Sequence, residues 1–173
     1  GLAIPLVTAV STTLGAKSGL LVRNRRGLEE AHMLDVVVFD KTGTLTLGEH
    51  RVVAMTTAGD VSEEETLSLA AAVERDSEHP IAQALLKSVR ERKLSLPQSS
   101  ELASVAGRGV SALVDGRKLH VGGPALLKSL HAEAGDALRE AAAQASTHGQ
   151  AAIYLVEEGQ VLAVFAFAEA IRE

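Results

Sequence analysis

Apolar residues recur along this chain with several different spacings, and each spacing predicts a different element. The opening stretch, residues 1–16, carries no charge, but Thr8, Ser11, Thr12 and Thr13 interrupt it. Crossing a bilayer takes about 20 predominantly apolar residues, so the stretch reads as half of a spanning helix. The chain begins without Met and shows neither the basic region nor the cleavage site of a signal peptide, which leads to the expectation of a truncated start. Lys17, Arg23, Arg25 and Arg26 follow, the bias of a cytoplasmic flank; the alternative is an ordinary buried helix. After a charged helical stretch over 26–33 comes Asp35-Val36-Val37-Val38-Phe39-Asp40. A continuous β-branched run reads as a strand buried on both faces, as in a parallel sheet, with Asp40 at its C-terminal end, where open α/β sheets keep their ligands.

The middle of the chain changes period. Residues 51–58 read as extended, and Ser62 with Glu65 three positions on forms a capping box that opens a helix to about Arg75. A second helix is predicted over 80–92, with Ile81, Ala84, Leu85 and Val89 on one face. A loop over 94–101 precedes short strands at 102–105, 109–114 and 118–121, the last two joined by a tight turn at Asp115-Gly116. Helices at 124–130 and 136–147 lead to strands at 151–156 and 161–168 around Glu158-Gly159. A parallel-type strand early, an antiparallel block in the middle and an apolar strand late suggest one domain inserted into a second, split one, whose share of strands is too small to close a sheet.

Composition narrows this picture. Across 173 residues hydrophobics make up 46% and aromatics only 2%, without Trp, so the core is expected to be built from Ala, Val, Leu and Ile. Scarce aromatics argue against a base-stacking surface, and an acidic balance of 22 Asp+Glu to 17 Lys+Arg without a basic stripe argues against duplex binding, so no nucleic-acid partner is expected. The absence of Cys excludes disulfides, zinc ribbons, iron–sulfur sites and a thiol nucleophile. His32, His50, His79, His120, His131 and His148 show no paired ligand spacing, so no transition-metal site is expected.

The strongest chemical signal is Asp40-Lys41-Thr42-Gly43-Thr44-Leu45-Thr46. An exposed carboxylate at a strand end can attack phosphorus and form an aspartyl phosphate. Lys41 would neutralise incoming charge, Gly43 would let the loop bend, and backbone N–H groups with the Thr44 hydroxyl would surround the phosphoryl oxygens. Two looser patterns fail. Gly107-Arg108-Gly109-Val110-Ser111-Ala112 has dinucleotide-loop spacing but precedes a strand, and Gly43 to Gly48 has P-loop spacing but lacks the following Lys.

The heptapeptide, preceded by its apolar strand, resembles the phosphorylation motif of P-type ATPases, within the haloacid-dehalogenase-like phosphotransferases. The opening Gly1-Leu2-Ala3-Ile4-Pro5 through Gly15-Ala16-Lys17-Ser18-Gly19 resembles the cytoplasmic half of the helix after the metal motif of heavy-metal pumps, most like the copper exporters. In that family the inserted nucleotide-binding domain carries Glu, then Ser-Glu-His-Pro, then Gly-x-Gly. Here the matching residues are Glu74, Ser77-Glu78-His79-Pro80 and Gly107-Arg108-Gly109, with Gly122 following the last hairpin. The resemblance implies a nucleotide site made of Glu74, His79, Gly107, Gly109 and Gly122. It also implies catalytic roles for Asp40, Lys41, Thr42 and Thr44, and magnesium held between phosphate, the Asp40 carboxylate and the Thr42 carbonyl. Taken alone, His79 reads as a capping or packed histidine.

The implied fold class is α/β: an incomplete haloacid-dehalogenase-like phosphorylation domain interrupted by an α+β nucleotide-binding domain with an antiparallel sheet flanked by helices. The implied division is 1–18 for the cytoplasmic end of a transmembrane helix, 19–48 for the first part of the phosphorylation domain, 49–162 for the nucleotide-binding domain and 163–173 for the return strand. The cofactors implied are ATP and magnesium. The implied partners are the actuator, the membrane domain and the rest of the phosphorylation domain of one pump, with the transported metal bound elsewhere. Two departures stand out: Gly123 sits where many such pumps have Asn, and Glu169 where they usually have Asp. Two other functions remain open. A soluble phosphatase of the same superfamily would usually carry a second Asp at the Thr42 position as general acid/base, where a hydroxyl is a poor proton shuttle. A nucleotide-sensing module would bind without catalysis.

Overall fold

A computed structural model describes residues 3–40, 44, 46–59, 61–105 and 107–171. The chain divides into two compact units, Gly1–Phe39 and Asp40–Glu173. The first contains helix α1 (Ala3–Lys17), the short α2 (Arg25–Glu30) and a 3-10 turn over Ala31–Met33. No helix among the described residues is long and apolar enough to cross a membrane.

The strand expected at 35–40 is corrected. These residues join no ladder, and Val36, Val37, Val38 and Phe39 are 74%, 63%, 88% and 63% exposed. A buried parallel strand needs neighbours on both sides to satisfy its backbone N–H and C=O groups, and no described strand pairs with this one. The apolar run is present, but no described residue covers it.

The second unit is a six-stranded antiparallel sheet in the order β1-β6-β5-β4-β3-β2. Its strands are β1 (Thr46–Thr57), β2 (Ser99–Val105), β3 (Gly109–Val114), β4 (Arg117–Gly122), β5 (Ala151–Glu157) and β6 (Gln160–Ile171). Strands β2 to β6 each pair antiparallel with their neighbours in sequence, β4 and β5 across an intervening pair of helices, whereas β1 joins by pairing with β6, the last strand in sequence, from Thr46↔Ile171 to Thr57↔Ala163. This long-range pairing extends β1 back to Thr46 and β6 on to Ile171, beyond the limits that local pattern suggested. At the far end of the ladder the Thr46 hydroxyl donates to Glu169 Oε2 at 2.7 Å, so the last residue of the heptapeptide is tied to one of the two positions that depart from the family pattern.

Helices cover both faces of the sheet. The Ser62 Oγ accepts from the Glu65 N–H at 3.1 Å and caps α3 (Glu63–Val73), which is buried from Thr66 to Val73. Helix α4 (Pro80–Glu91) buries Ile81, Ala82, Ala84, Leu85 and Val89, the stripe its spacing predicts. Both pack with Val114, Leu119, Val121, Leu155, Phe165 and Phe167 in one apolar cluster. Strand alternation sends Tyr154, Val156 and Val164 to the other face, against Leu126 of α5 (Pro124–Leu130) and Leu138 of α6 (Asp136–Thr147). The core is therefore not confined to aliphatic residues. Phe165 and Phe167, both on β6, are 0% and 1% exposed and are the largest fully buried side chains among the described residues.

Candidate functional site

Where β3 begins and β4 ends, Gly109 and Gly122 face each other across the ladder. A Cβ on Gly109 would lie 2.1 Å from the Val121 carbonyl oxygen, and one on Gly122 would lie 2.2 Å from the Arg108 carbonyl oxygen. The backbones meet at a distance that any side chain would prevent. Gly107 is a different case: its φ of +69° is left-handed, but a Cβ there would meet nothing within 4 Å. The three glycines that the sequence singles out thus have distinct reasons. Two serve the approach of strand to strand, and one serves the turn.

Above this pair opens a cavity of about 410 Å³ lined by Glu74, Ser77, His79, Ile81, Gly107 and Arg108 together with Ser104, Gly109, Val110, Val121, Gly122, Gly123 and Ile153. Its size suits a ligand of nucleoside dimensions, and its lining sets Ile81, Val110, Val121 and Ile153 beside polar side chains from Glu74, Ser77, His79, Ser104 and Arg108. The structure brings Glu74, His79, Gly107, Gly109 and Gly122 into this one cavity, although they come from the end of α3, the start of α4, the β2–β3 turn and the β3/β4 pair.

His79 caps α4: the Ile81 N–H donates to its Nδ1 at 3.2 Å, and Pro80 sets the first helical turn. The capping bond fixes the acceptor role at Nδ1, so a neutral ring carries its proton on Nε2 and offers a donor there. The capping and binding readings of His79 are compatible, because the cap orients the ring at the cavity wall. The His79 N–H donates to Ser77 Oγ at 3.3 Å, closing the turn between the helices.

Glu74 ends α3 and is 6% exposed, yet its Oε2 has no hydrogen-bond partner among the described residues. Burial pushes the carboxyl above its ordinary value, opposed by a hydrogen bond with Ser77 and by the charge of His79. A buried acceptor left without a donor is costly unless a ligand supplies one. The raised value also sets a sign. The unfolded chain releases this proton near 4.5 while the folded chain still holds it, so stability falls as pH rises from there through the raised value. Glu74→Gln cannot titrate, and the expected result is that this decline disappears from a plot of urea midpoint against pH. An unchanged slope would mean that the carboxyl is not buried as described.

The phosphorylation motif is placed only in part. Asp40 and Thr44 are exposed, and neither lines the cavity. Lys41 and Thr42 lie outside the described residues. Among the described residues no three His, Asp or Glu side chains converge to hold a metal ion. Asp40 contributes one carboxylate, which does not by itself make a magnesium site. Arg108, Ser104 and Ile153 line the cavity without having been singled out for it. Arg108 sits inside the Gly-x-Gly motif and could have been noticed there, whereas Ile153 arrives from β5 by tertiary packing with no local signal.

The chain thus combines a helix-covered antiparallel sheet, a cavity of nucleoside size and an exposed aspartate that lies outside it. Residues 34–173 match the family description of haloacid dehalogenase-like hydrolases, and the chain belongs to that family. Within it, the chain is 40% identical to copper-exporting P-type ATPase B of Archaeoglobus fulgidus, over 99% of this chain and 24% of that protein. A crystal structure of a zinc-transporting PIB-type ATPase matches with a TM-score of 0.69 and 32% identity, covering 77% of this chain and 21% of that one. The N-domain of HMA6, a copper-transporting P-type ATPase, matches with a TM-score of 0.58 and 26% identity over 69% of this chain and 99% of its own. The chain spans about a quarter of the length of the curated relative, and the resemblance to heavy-metal P-type ATPases runs along all of it.

Proposed function

We propose that this chain is the ATP-binding and phosphorylation-site portion of a heavy-metal cation pump, with copper as the transported ion. The observation that carries the reading is the cavity itself. Five residues separated by as many as 48 positions, Glu74 to Gly122, line one space, and the Glu74 and His79 side chains among them suit an adenine nucleotide. The unpartnered Glu74 oxygen would accept from an exocyclic amine, the His79 ring would stack on or hydrogen-bond to the base, and Gly107, beside which the structure leaves open space, would let the ligand approach the backbone. In the whole pump an Asp40 carboxylate oxygen would attack the γ-phosphorus of ATP, forming an acyl phosphate as the bond to the leaving ADP breaks. Lys41, Thr42 and Thr44 would surround the transferring group, and magnesium would be shared with carboxylates beyond those described.

On this reading the nucleotide-binding domain, expected over 49–162, runs on through β6, whose Phe165 and Phe167 lie in its core, while 19–48 belong to the phosphorylation domain and 1–18 end a transmembrane helix on the cytoplasmic side. The partners are the actuator, the membrane domain and the remainder of the phosphorylation domain. Copper rests on the relative from Archaeoglobus fulgidus, while the solved neighbour named above transports zinc.

Calorimetric titration of ATP into this chain and its His79→Ala variant tests the proposal. Losing one or two contacts of roughly 1–2 kcal/mol raises the dissociation constant about five- to thirtyfold. Equal affinities would place the nucleotide elsewhere. The chain alone is expected to bind ATP without turning it over, since among its described residues no set of carboxylates or histidines converges with Asp40 to hold a metal ion. Multiple turnovers by this chain would favour the soluble phosphatase instead.

A further inference from the structure

Arg108 stands between the two motif glycines, exposed at the rim of the cavity. Among the described lining residues it is the one permanently charged cation. It takes part in none of the ion pairs found among the described residues, which join Arg26 to Glu30, Lys87 to Glu49, Arg92 to Glu63, Arg117 to Glu65 and Glu157, and Arg139 to Asp136. Its backbone is nonetheless well anchored, because its carbonyl packs against Gly122 in the β3/β4 pair.

The cavity therefore has a chemical direction. Its buried part holds the Glu74 carboxylate, which accepts hydrogen bonds, and its exposed rim holds a guanidinium, which only donates them. A ligand that matches both carries an amine at one end and a hydrated anion at the other. Arginine's planar fork is suited to phosphate oxygens, and an exposed rim lets the remaining phosphate charge stay in water. We propose that Arg108 holds the phosphate chain of the bound nucleotide and makes the cavity selective for nucleoside di- and triphosphates over the nucleoside. This inference rests on the nucleotide reading of the cavity given above. It assigns phosphate recognition to the side chain inside the Gly-x-Gly motif, whose glycines serve the turn and the strand pair.

The test titrates ATP, ADP and adenosine by calorimetry into the 173-residue chain and its Arg108→Ala and Arg108→Lys variants, at low and at moderate salt. In Arg108→Ala the ATP and ADP dissociation constants rise about five- to tenfold, the effect of a charge-assisted hydrogen bond discounted for its exposure, while adenosine binds as before. Arg108→Lys recovers part of the loss, and the salt dependence of ATP binding is smaller in Arg108→Ala than in the unaltered chain. Equal losses for adenosine and ATP would show that Arg108 shapes the fold of the loop, and would overturn the inference. Unchanged ATP affinity in Arg108→Ala, with His79→Ala still weakened, would also overturn it and leave the nucleotide reading standing. An unaltered chain that binds neither ATP nor adenosine would overturn both.

Discussion

Asp40→Asn is expected to reduce acid-stable labelling from ATP to background in the whole pump of which this chain is proposed to be part. The argument is one of charge and nucleophilicity. A carboxylate oxygen brings a full negative charge and a lone pair to phosphorus, whereas an amide is neutral and its nitrogen lone pair is delocalised, so no acyl phosphate forms. The substitution is close to isosteric, and the side chain is exposed, so packing is not disturbed. Asp40 also does not line the cavity, so ATP affinity should stay within about twofold, roughly 0.4 kcal/mol, of the unaltered protein. The measurement pairs phosphate labelling with equilibrium ATP binding in the same preparation. Labelling that survives in the variant would move the acceptor to another residue, and a loss of binding as large as the loss of labelling would point to misfolding.

Gly109→Ala is expected to destabilise the six-stranded unit more than any other single-methyl change at the site. Its φ of +147° lies where L-residues are rarely found, and the new Cβ would sit 2.1 Å from the Val121 oxygen and 2.9 Å from the Gly122 Cα. Both contacts are to backbone, which cannot rotate away, so the β3/β4 pair must part at its end. Backbone strain of roughly 1–3 kcal/mol and overpacking of a similar size add to about 2–6 kcal/mol. That is a large share of the 5–15 kcal/mol, approximately, that holds a typical domain folded. Gly107→Ala is the internal control. It meets no neighbour within 4 Å and carries only the left-handed penalty of roughly 1–2 kcal/mol. Urea denaturation of both variants checks the difference, and a Gly109→Ala midpoint equal to that of Gly107→Ala would mean that the strands do not meet as described. Because Arg108 lies between the two positions, the more damaging change should also weaken ATP binding through the displaced loop.

Local pattern was enough for several parts of this molecule. The N-cap at Ser62, the stripe of Ile81, Ala84, Leu85 and Val89, and the turn at Asp115-Gly116 rest on interactions among residues a few positions apart, and each recurs in the structure, although the Glu65 carboxylate expected to complete a capping box pairs with Arg117 instead. The short motifs around Glu74, His79 and Gly107 could likewise be picked out, because capping, turning and phosphate chemistry demand particular residue types at fixed spacings. Tertiary structure decided the rest. That β1 reaches Thr46 depends on a partner more than a hundred residues away, and the bond from Thr46 to Glu169 follows from that register. The apolar run at 36–39 shows the converse: its composition calls for a buried strand, but burial is a property of neighbours, and none of the described strands pairs with it. The same holds for the glycines. Sequence marks Gly107, Gly109 and Gly122 as a set, but only the closeness of two backbones separates the pair that cannot carry a Cβ from the one that merely turns. Phe165 and Phe167 likewise enter the core because β6 lies inside the sheet between β1 and β5, where both faces are covered by helices. Sequence by itself therefore determined which residues can cap, turn and bind, since these are local chemistry, whereas pairing, burial and the polarity of the cavity arise only when distant segments share one space.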